Sequence, residues 1–232
     1  MTRDQFRNLL THLQIKYLES TTLSEKQIEK FAGDSEELWF LMSYYQKMSE
    51  KFIEKHEKQV QWNYISGQQD LSIDFIRKHV KQIYFTSYAM NHKLSEEFIR
   101  EFVDYFDMET WYKICQVSDL STDFIREYLY KINWFTLSEQ KMFNMKELSE
   151  FKDKLHWQKL NVEKVLTDEV LEKHFDKVDW YTITKHKAFE DKEEWKKWIR
   201  KFKDYLYFPL IDSDMFDNDF KEEIKRFLKH DK

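Results

Sequence analysis

LSIDFIRKH (Leu71–His79), LSEEFIREF (Leu94–Phe102) and LSTDFIREY (Leu120–Tyr128) are one phrase written three times. Each copy opens on leucine and continues with a serine whose side-chain oxygen can accept an orphan backbone N–H at a helix start. Acids such as Glu96, Glu97 and Asp123 follow in the first turn, where the helix dipole favours them. In the Leu94 copy the apolar residues Phe98, Ile99, Phe102 and Phe106 are spaced i, i+1, i+4 and i+8. That spacing describes one stripe of a helix and not the alternation of a strand.

Outward from these three, the phrase recurs as LSEKQIEKF from Leu23, MSEKFIEKH from Met48, FNMKELSEF from Phe143 and LTDEVLEKH from Leu166. Weaker copies open at Phe189 and Met215. Starts fall 23 residues apart in five of the eight intervals, and 25, 26 and 26 apart in the others, as loop insertions would produce. The second residues Ser24, Ser49, Ser72, Ser95, Ser121, Asn144 and Thr167 are all good N-caps. A second landmark keeps step: Trp62, Phe85, Trp134, Trp157 and Trp180 lie fourteen residues after a start, and Trp111 lies three later in a repeat three residues longer. Ile65, Tyr88, Ile114, Leu137, Leu160 and Ile183 follow the landmark by three.

Each copy reads as a helix, a tight turn and a shorter helix. Such a unit cannot bury its apolar stripe alone, so neighbours must stack. The expected fold is all-α, an α-solenoid of about eight 23-residue helix-turn-helix repeats in one domain spanning residues 1–232. Within it, residues 1–22 read as an N-terminal capping helix with the stripe Phe6, Leu9, Leu10, Leu13, Tyr17, and residues 23–214 as repeats. Residues 215–232 read as a C-terminal capping helix carrying Phe220, Ile224, Phe227 and Leu228, and Pro209 marks the break before it.

Composition agrees. Two glycines and one proline leave no turn punctuation for hairpins. Charged residues make up 35% and aromatics 18%, too apolar for disorder despite a mean hydropathy of -0.79. The net charge of -5 comes from interspersed acids and bases, without the basic face that duplex binding needs. A single cysteine, Cys115, cannot close an internal disulfide, which fits a reducing compartment. No apolar run reaches the roughly 18 residues of a membrane span, and Asp4, His12 and Lys16 interrupt any signal-peptide core. The expected location is therefore the cytoplasm, with no membrane association.

The chemistry-bearing residues favour packing over catalysis. His56, His79 and His174 share one repeat position with Phe31, Phe102, Tyr128 and Phe151, which marks it as a packing position and not a metal ligand set. The acidic tail Asp212, Asp214, Asp217, Asp219, Glu223 has Asp217 where a calcium loop needs glycine. No nucleophile, P-loop or zinc motif occurs, so neither catalytic residues nor a cofactor are implied.

Arg77, Arg100 and Arg126 stand at one repeat position and would align as a ladder able to hold a phosphate or an acidic partner. Against that, Asp74, Glu97 and Asp123 each precede an arginine by three residues, and the signs swap together in Lys26 with Glu29 and Lys51 with Glu54. Local charge balance on the helix is the favoured reading. The tryptophans, held in register, are expected in the core. The tyrosines outside the register, Tyr44, Tyr45, Tyr181 and Tyr207, are the candidates for a recognition surface.

The phrase LSEEFI followed by Trp-x-x-Ile/Leu, as in Leu94–Ile99 and Trp134–Leu137, resembles tandem repeats in proteins of large DNA phages and giant viruses, over about residues 23–188. The resemblance implies an all-helical array and a viral origin, and carries over no catalytic residue. The expected function is a non-enzymatic scaffold that engages and inhibits a host defence protein, acting in the host cytoplasm. The alternative is a sequestering protein for a small anionic ligand such as a nucleotide signal. A third reading is an enzyme without a recognisable motif.

Overall fold

In the computed structural model the described residues are 1–160, 167–186, 192–206 and 218–229. Leu166, Phe189, Tyr207, Pro209, Met215 and the acids Asp212, Asp214 and Asp217 lie outside them. All regular structure among the described residues is helical, and no strand occurs there. The chain divides into two compact units, Met1–Ile132 and Asn133–Lys232.

The first unit runs α1 (Arg3–Arg7), α2 (Thr11–Ser20), α3 (Glu25–Ala32), α4 (Glu36–Tyr45), α5 (Glu50–Lys55), α6 (Trp62–Gln68), α7 (Ile73–Lys78), α8 (Phe85–Asn91), α9 (Glu96–Phe102), a 3-10 turn (Val103–Tyr105), α10 (Met108–Val117) and α11 (Thr122–Glu127). Odd-numbered helices begin at the repeated cap. Ser49, Ser72, Ser95 and Ser121 each accept the backbone N–H three residues on, at 3.2 Å. The second helix of a repeat is not the shorter one: α6 and α8 have seven residues against six in α5 and α7. The first helix is short because the ninth residue leaves helical geometry. His56, His79 and Tyr128 each sit at the helix end, and their carbonyls accept from the two N–H groups three and four residues on. That turn buries Val60, Ile83, Phe106 and Ile132, so Phe106 is a turn anchor and not the fourth residue of a helical stripe.

Successive second helices lie side by side, α2 on α4, α4 on α6, α6 on α8 and α8 on α10. The approach of α6 to α8 depends on Gly67, where a Cβ would stand 3.2 Å from the Ser87 carbonyl oxygen and 3.1 Å from the Asn91 amide. Gly33 turns the chain from α3 into α4 with a φ of 52°, a region that favours glycine. The landmark aromatic of a repeat, a place Trp39 fills in the repeat from Leu23 that is two residues longer, meets the ninth-position ring of the next. Centroid distances are 4.7 Å for Trp39–His56, 5.2 Å for Trp62–His79, 5.4 Å for Phe85–Phe102 and 5.4 Å for Trp111–Tyr128.

Buried polar groups follow the same period. Gln46 accepts from the Leu23 N–H at 2.7 Å and donates to the Leu18 and Thr21 carbonyls. Gln69 repeats the device, accepting from the Met48 N–H at 3.0 Å and donating to the Gln46 carbonyl. Ser43 and Ser66, four residues after the landmark, accept the Gln61 and Tyr84 N–H groups at 3.0 Å. Every one of these groups would otherwise be an unsatisfied dipole between repeats.

The N-terminal segment is two helices with a break at Asn8–Leu10, not one capping helix. Its Thr2 forms a capping box with Gln5 and its Phe6 is fully buried, as Ile28 and Ile53 are at the same distance from their caps. Leu10 and Leu13 of the expected stripe are exposed, and Gln14 and Leu18 are buried instead. Met1–Ser20 is therefore itself shaped as a repeat.

The second unit contains α12 (Trp134–Gln140), α13 (Met145–Glu150), a 3-10 turn (Trp157–Lys159), α14 (Asp168–Lys173), α15 (Trp180–His186), α16 (Lys192–Phe202) and α17 (Asn218–Lys229). The same seams recur as Trp134–Phe151 at 5.3 Å, Trp157–His174 at 5.1 Å and Trp180–Phe202 at 5.4 Å. Trp157 is buried, as expected of the core, whereas Trp134 and Trp180 are half-buried. In α16 the buried Trp198, Ile199 and Phe202 take the places of Phe75, Ile76 and His79. That frame starts five residues after Phe189, where the sequence reading set it.

Candidate interaction surface

The first helices expose a row of charges, and one complementary pair in that row recurs from repeat to repeat. The seventh residue of one repeat pairs with the eighth residue of the next: Glu29 with Lys55 at 2.9 Å, Glu54 with Lys78 at 2.7 Å, and Arg100 with Glu127 at 2.8 Å. Arg77 forks onto Glu101 through two nitrogens and also bonds Asp74 at 2.8 Å. In the second unit Lys201 reaches Glu172 at 2.8 Å. Signs reverse between the second and third repeats, yet each contact stays complementary. The pairing that the sequence suggested within a helix is thus joined by one between helices.

All three expected ladder arginines lie on this row, exposed and engaged. Arg126 bonds Asp123, and Arg100 takes Glu96 in place of Glu97. The Glu101 carboxylate and the Arg77 guanidinium stabilise each other's charged forms, pulling Glu101 below the usual carboxylate range and Arg77 upward. Lys55 holds Glu29 low in the same way, and Lys78 with His79 holds Glu54 low. Third-position acids complete the seam: Glu25, Glu50 and Glu96 accept the N-cap N–H of the following repeat at 2.8, 2.6 and 2.7 Å.

The ninth-position histidines are buried against tryptophan. His79 Nε2 is 3.3 Å from Glu54, His56 Nε2 is 3.6 Å from Glu29, and His174 Nε2 is 3.4 Å from the Ser149 hydroxyl. Burial pushes His56 and His174 down from the ordinary histidine value. No group of three or more potential metal ligands converges among the described residues.

The second helices differ in kind. Gln61–Gln69 and Tyr84–His92 contain no Asp, Glu, Lys or Arg, in a chain that is 35% charged. Exposed large apolar residues of this row are Phe40 and Tyr44 on α4, the N-cap Tyr84 and Met90 of α8, and Tyr112 on α10. Tyr44 meets Tyr45 and Tyr64 edge-on at 4.6 and 5.1 Å, and Phe40 meets Tyr64 at 4.9 Å. Of the expected recognition tyrosines, Tyr44 is exposed and Tyr45 half-buried in this cluster. Tyr181 is exposed in the second unit, near a ring cluster of Phe175, Trp180 and Tyr205. Tyr207 lies outside the described residues.

Phe40, Tyr64, Tyr84, Met90, Tyr112 and the exposed Phe135 were not singled out from sequence. A signal existed: the residue after the landmark is aromatic at Phe40, Tyr112, Phe135 and Tyr181. No described helix is long and apolar enough to cross a membrane. The chain matches no family model, no curated protein and no solved structure.

Proposed function

We propose that this chain is a non-enzymatic binding protein, an α-solenoid whose row of second helices docks a partner protein. One observation carries the reading: the first-helix row pairs charges from repeat to repeat, while among the second helices of residues 1–132 α6 and α8 carry no Asp, Glu, Lys or Arg and α4, α8 and α10 expose aromatic side chains at or beside them. Tyrosine, serine, threonine and asparagine beside apolar anchors form the composition of a protein-recognition surface, where rigid rings give contact area at low entropic cost. Recurrence of the same seam within each unit supports an array, and arrays offer long surfaces of this kind. From the phage and giant-virus resemblance, the partner is a host defence protein and the outcome is its inhibition.

The alternative, a small anionic ligand on the arginine ladder, is weaker because Arg77 and Arg100 each already hold two carboxylates. Site-specific photo-cross-linking in the native host tests the choice. A benzophenone residue at Tyr44 or Tyr112 should trap one protein, and the same residue at Lys51 or Asp74 should trap none. Trapping from the first-helix positions alone would overturn the assignment.

A further inference from the structure

We infer that the recess beside the aromatic cluster of α4 receives a basic side chain, arginine or lysine, from the docked protein. The inference rests on the second-helix row being the docking surface, and it specifies what the partner must present there.

Helix α4, EELWFLMSYY, is apolar around most of its circumference. Leu38, Trp39, Leu41 and Met42 take its inner side, and the outward stripe runs Glu36, Phe40, Tyr44. The helical step of four places these one above another, with carboxylates at one end and rings at the other. A recess of about 620 Å³ opens here, lined by Glu36, Glu37, Phe40 and Gln61. The edge-on contacts of Phe40 and Tyr44 with Tyr64 brace one wall.

Among the described residues no cation lines this recess, and neither the Glu36 nor the Glu37 side chain has a hydrogen bond or ion pair there. On the first-helix row the acids Glu29, Glu54, Glu101 and Glu127 each hold a cation of a neighbouring repeat. The start of α4 supplies about half a positive charge, which makes acids welcome there but does not cancel two of them. Arg7 lines the adjoining recess on the Glu37 side, where its guanidinium bonds the Phe31 and Ala32 carbonyls. Two carboxylates still outnumber that one cation, and an aromatic ring beside carboxylates is the environment that attracts a guanidinium or ammonium.

The test uses the full chain and two small probes, N-acetyl-arginine methylamide and its neutral isostere N-acetyl-citrulline methylamide, followed by amide NMR. The arginine probe should shift residues 36–40 and 61–64 saturably. Citrulline should bind at least about tenfold more weakly, as loss of a charge-assisted hydrogen bond commonly causes. The Glu36→Gln/Glu37→Gln double variant should lose the arginine response while keeping the wild-type amide pattern elsewhere, because both side chains are exposed. Equal responses to the two probes, no saturable response, or an undiminished response in the double variant would each overturn the proposal. Cross-linking from Tyr112 is independent of this recess. If it traps a partner while the arginine probe fails, the docking surface stands and the basic contact falls.

Discussion

Within Met1–Ile132 the two helices of a repeat expose different kinds of surface. First helices spend their exposed charges on one another: Glu29 takes Lys55, Glu54 takes Lys78, and Arg100 takes Glu127. Second helices bury polar groups to join the repeats, through Gln46, Gln69, Ser43 and Ser66, and leave aromatic side chains outside. The contrast separates what a repeat needs to find its neighbour from what remains free for another molecule. A periodic residue with a partner at the same period belongs to the seam. An exposed aromatic without one is available to a partner.

Adjacent residues in α4 offer the strongest break of that rule. Trp39 is 1% exposed, packs on Phe52 and His56, and donates its indole N–H to the Gly33 carbonyl at 2.8 Å. Trp39→Ala should cost about 3–5 kcal/mol in urea denaturation, whereas Phe40→Ala, at 43% exposure, should barely move the midpoint. Comparable losses at both positions would mean that the aromatic row is part of the core.

Next in size is Gln46. Replacing it by Ala strands the Leu23 N–H and the Leu18 and Thr21 carbonyls inside the protein. A loss of about 1–3 kcal/mol follows from leaving buried dipoles unpaired, and differential scanning calorimetry would register it. No change would show that water replaces the amide, and that the seam is wetter than its burial suggests.

The histidine seam gives a pH dependence of defined sign. His174 is held below its ordinary value by burial first and then by Lys173, with Asp176 opposing. The unfolded chain therefore binds this proton more readily, near the ordinary pKa of about 6.5. Stability from this group is complete above that value and is lost as pH falls below it. His174→Phe, the residue found at Phe31, Phe102 and Phe151, should flatten the decline in thermal midpoint between about pH 7 and 5. A slope unchanged by the substitution would place the acid sensitivity elsewhere, with His56 the first alternative.

Much of this was legible in the sequence, for physical reasons. Caps such as Ser72 and Ser121, and the landmark tryptophans, announce themselves because a repeated fold must repeat its hydrogen bonds and its packing. Helix lengths did not, since the turn after His56 or His79 is closed by backbone hydrogen bonds that any residue can make. The N-terminal segment misled for a related reason. Leu10 and Leu13 fit a helical stripe, but the chain breaks at Asn8–Leu10 and turns both outward. The arginine ladder was legible only in part. Spacing within one helix reveals Asp74 beside Arg77, but Glu101 belongs to the next repeat and becomes a neighbour only on stacking. The exposed aromatics were hardest, because one sequence does not separate an outward ring from an inward one until the inward phase is known.

The smallest expected effect belongs to the first-helix charges. Arg77→Gln/Arg100→Gln/Arg126→Gln should unfold close to the wild-type midpoint, and any difference should vanish in high salt, as exposed pairs do.

The central claim is that the aromatic row, and not the charged row, holds the partner. Calorimetric titration of the cross-linked partner, once purified, against wild type, the triple arginine variant and Tyr84→Ser/Tyr112→Ser tests it most directly. The arginine variant should bind within about twofold of wild type, and the tyrosine variant should lose about tenfold or more, as removal of exposed aromatic anchors does. The reverse order, with the arginine variant silent and the tyrosine variant intact, would contradict the account.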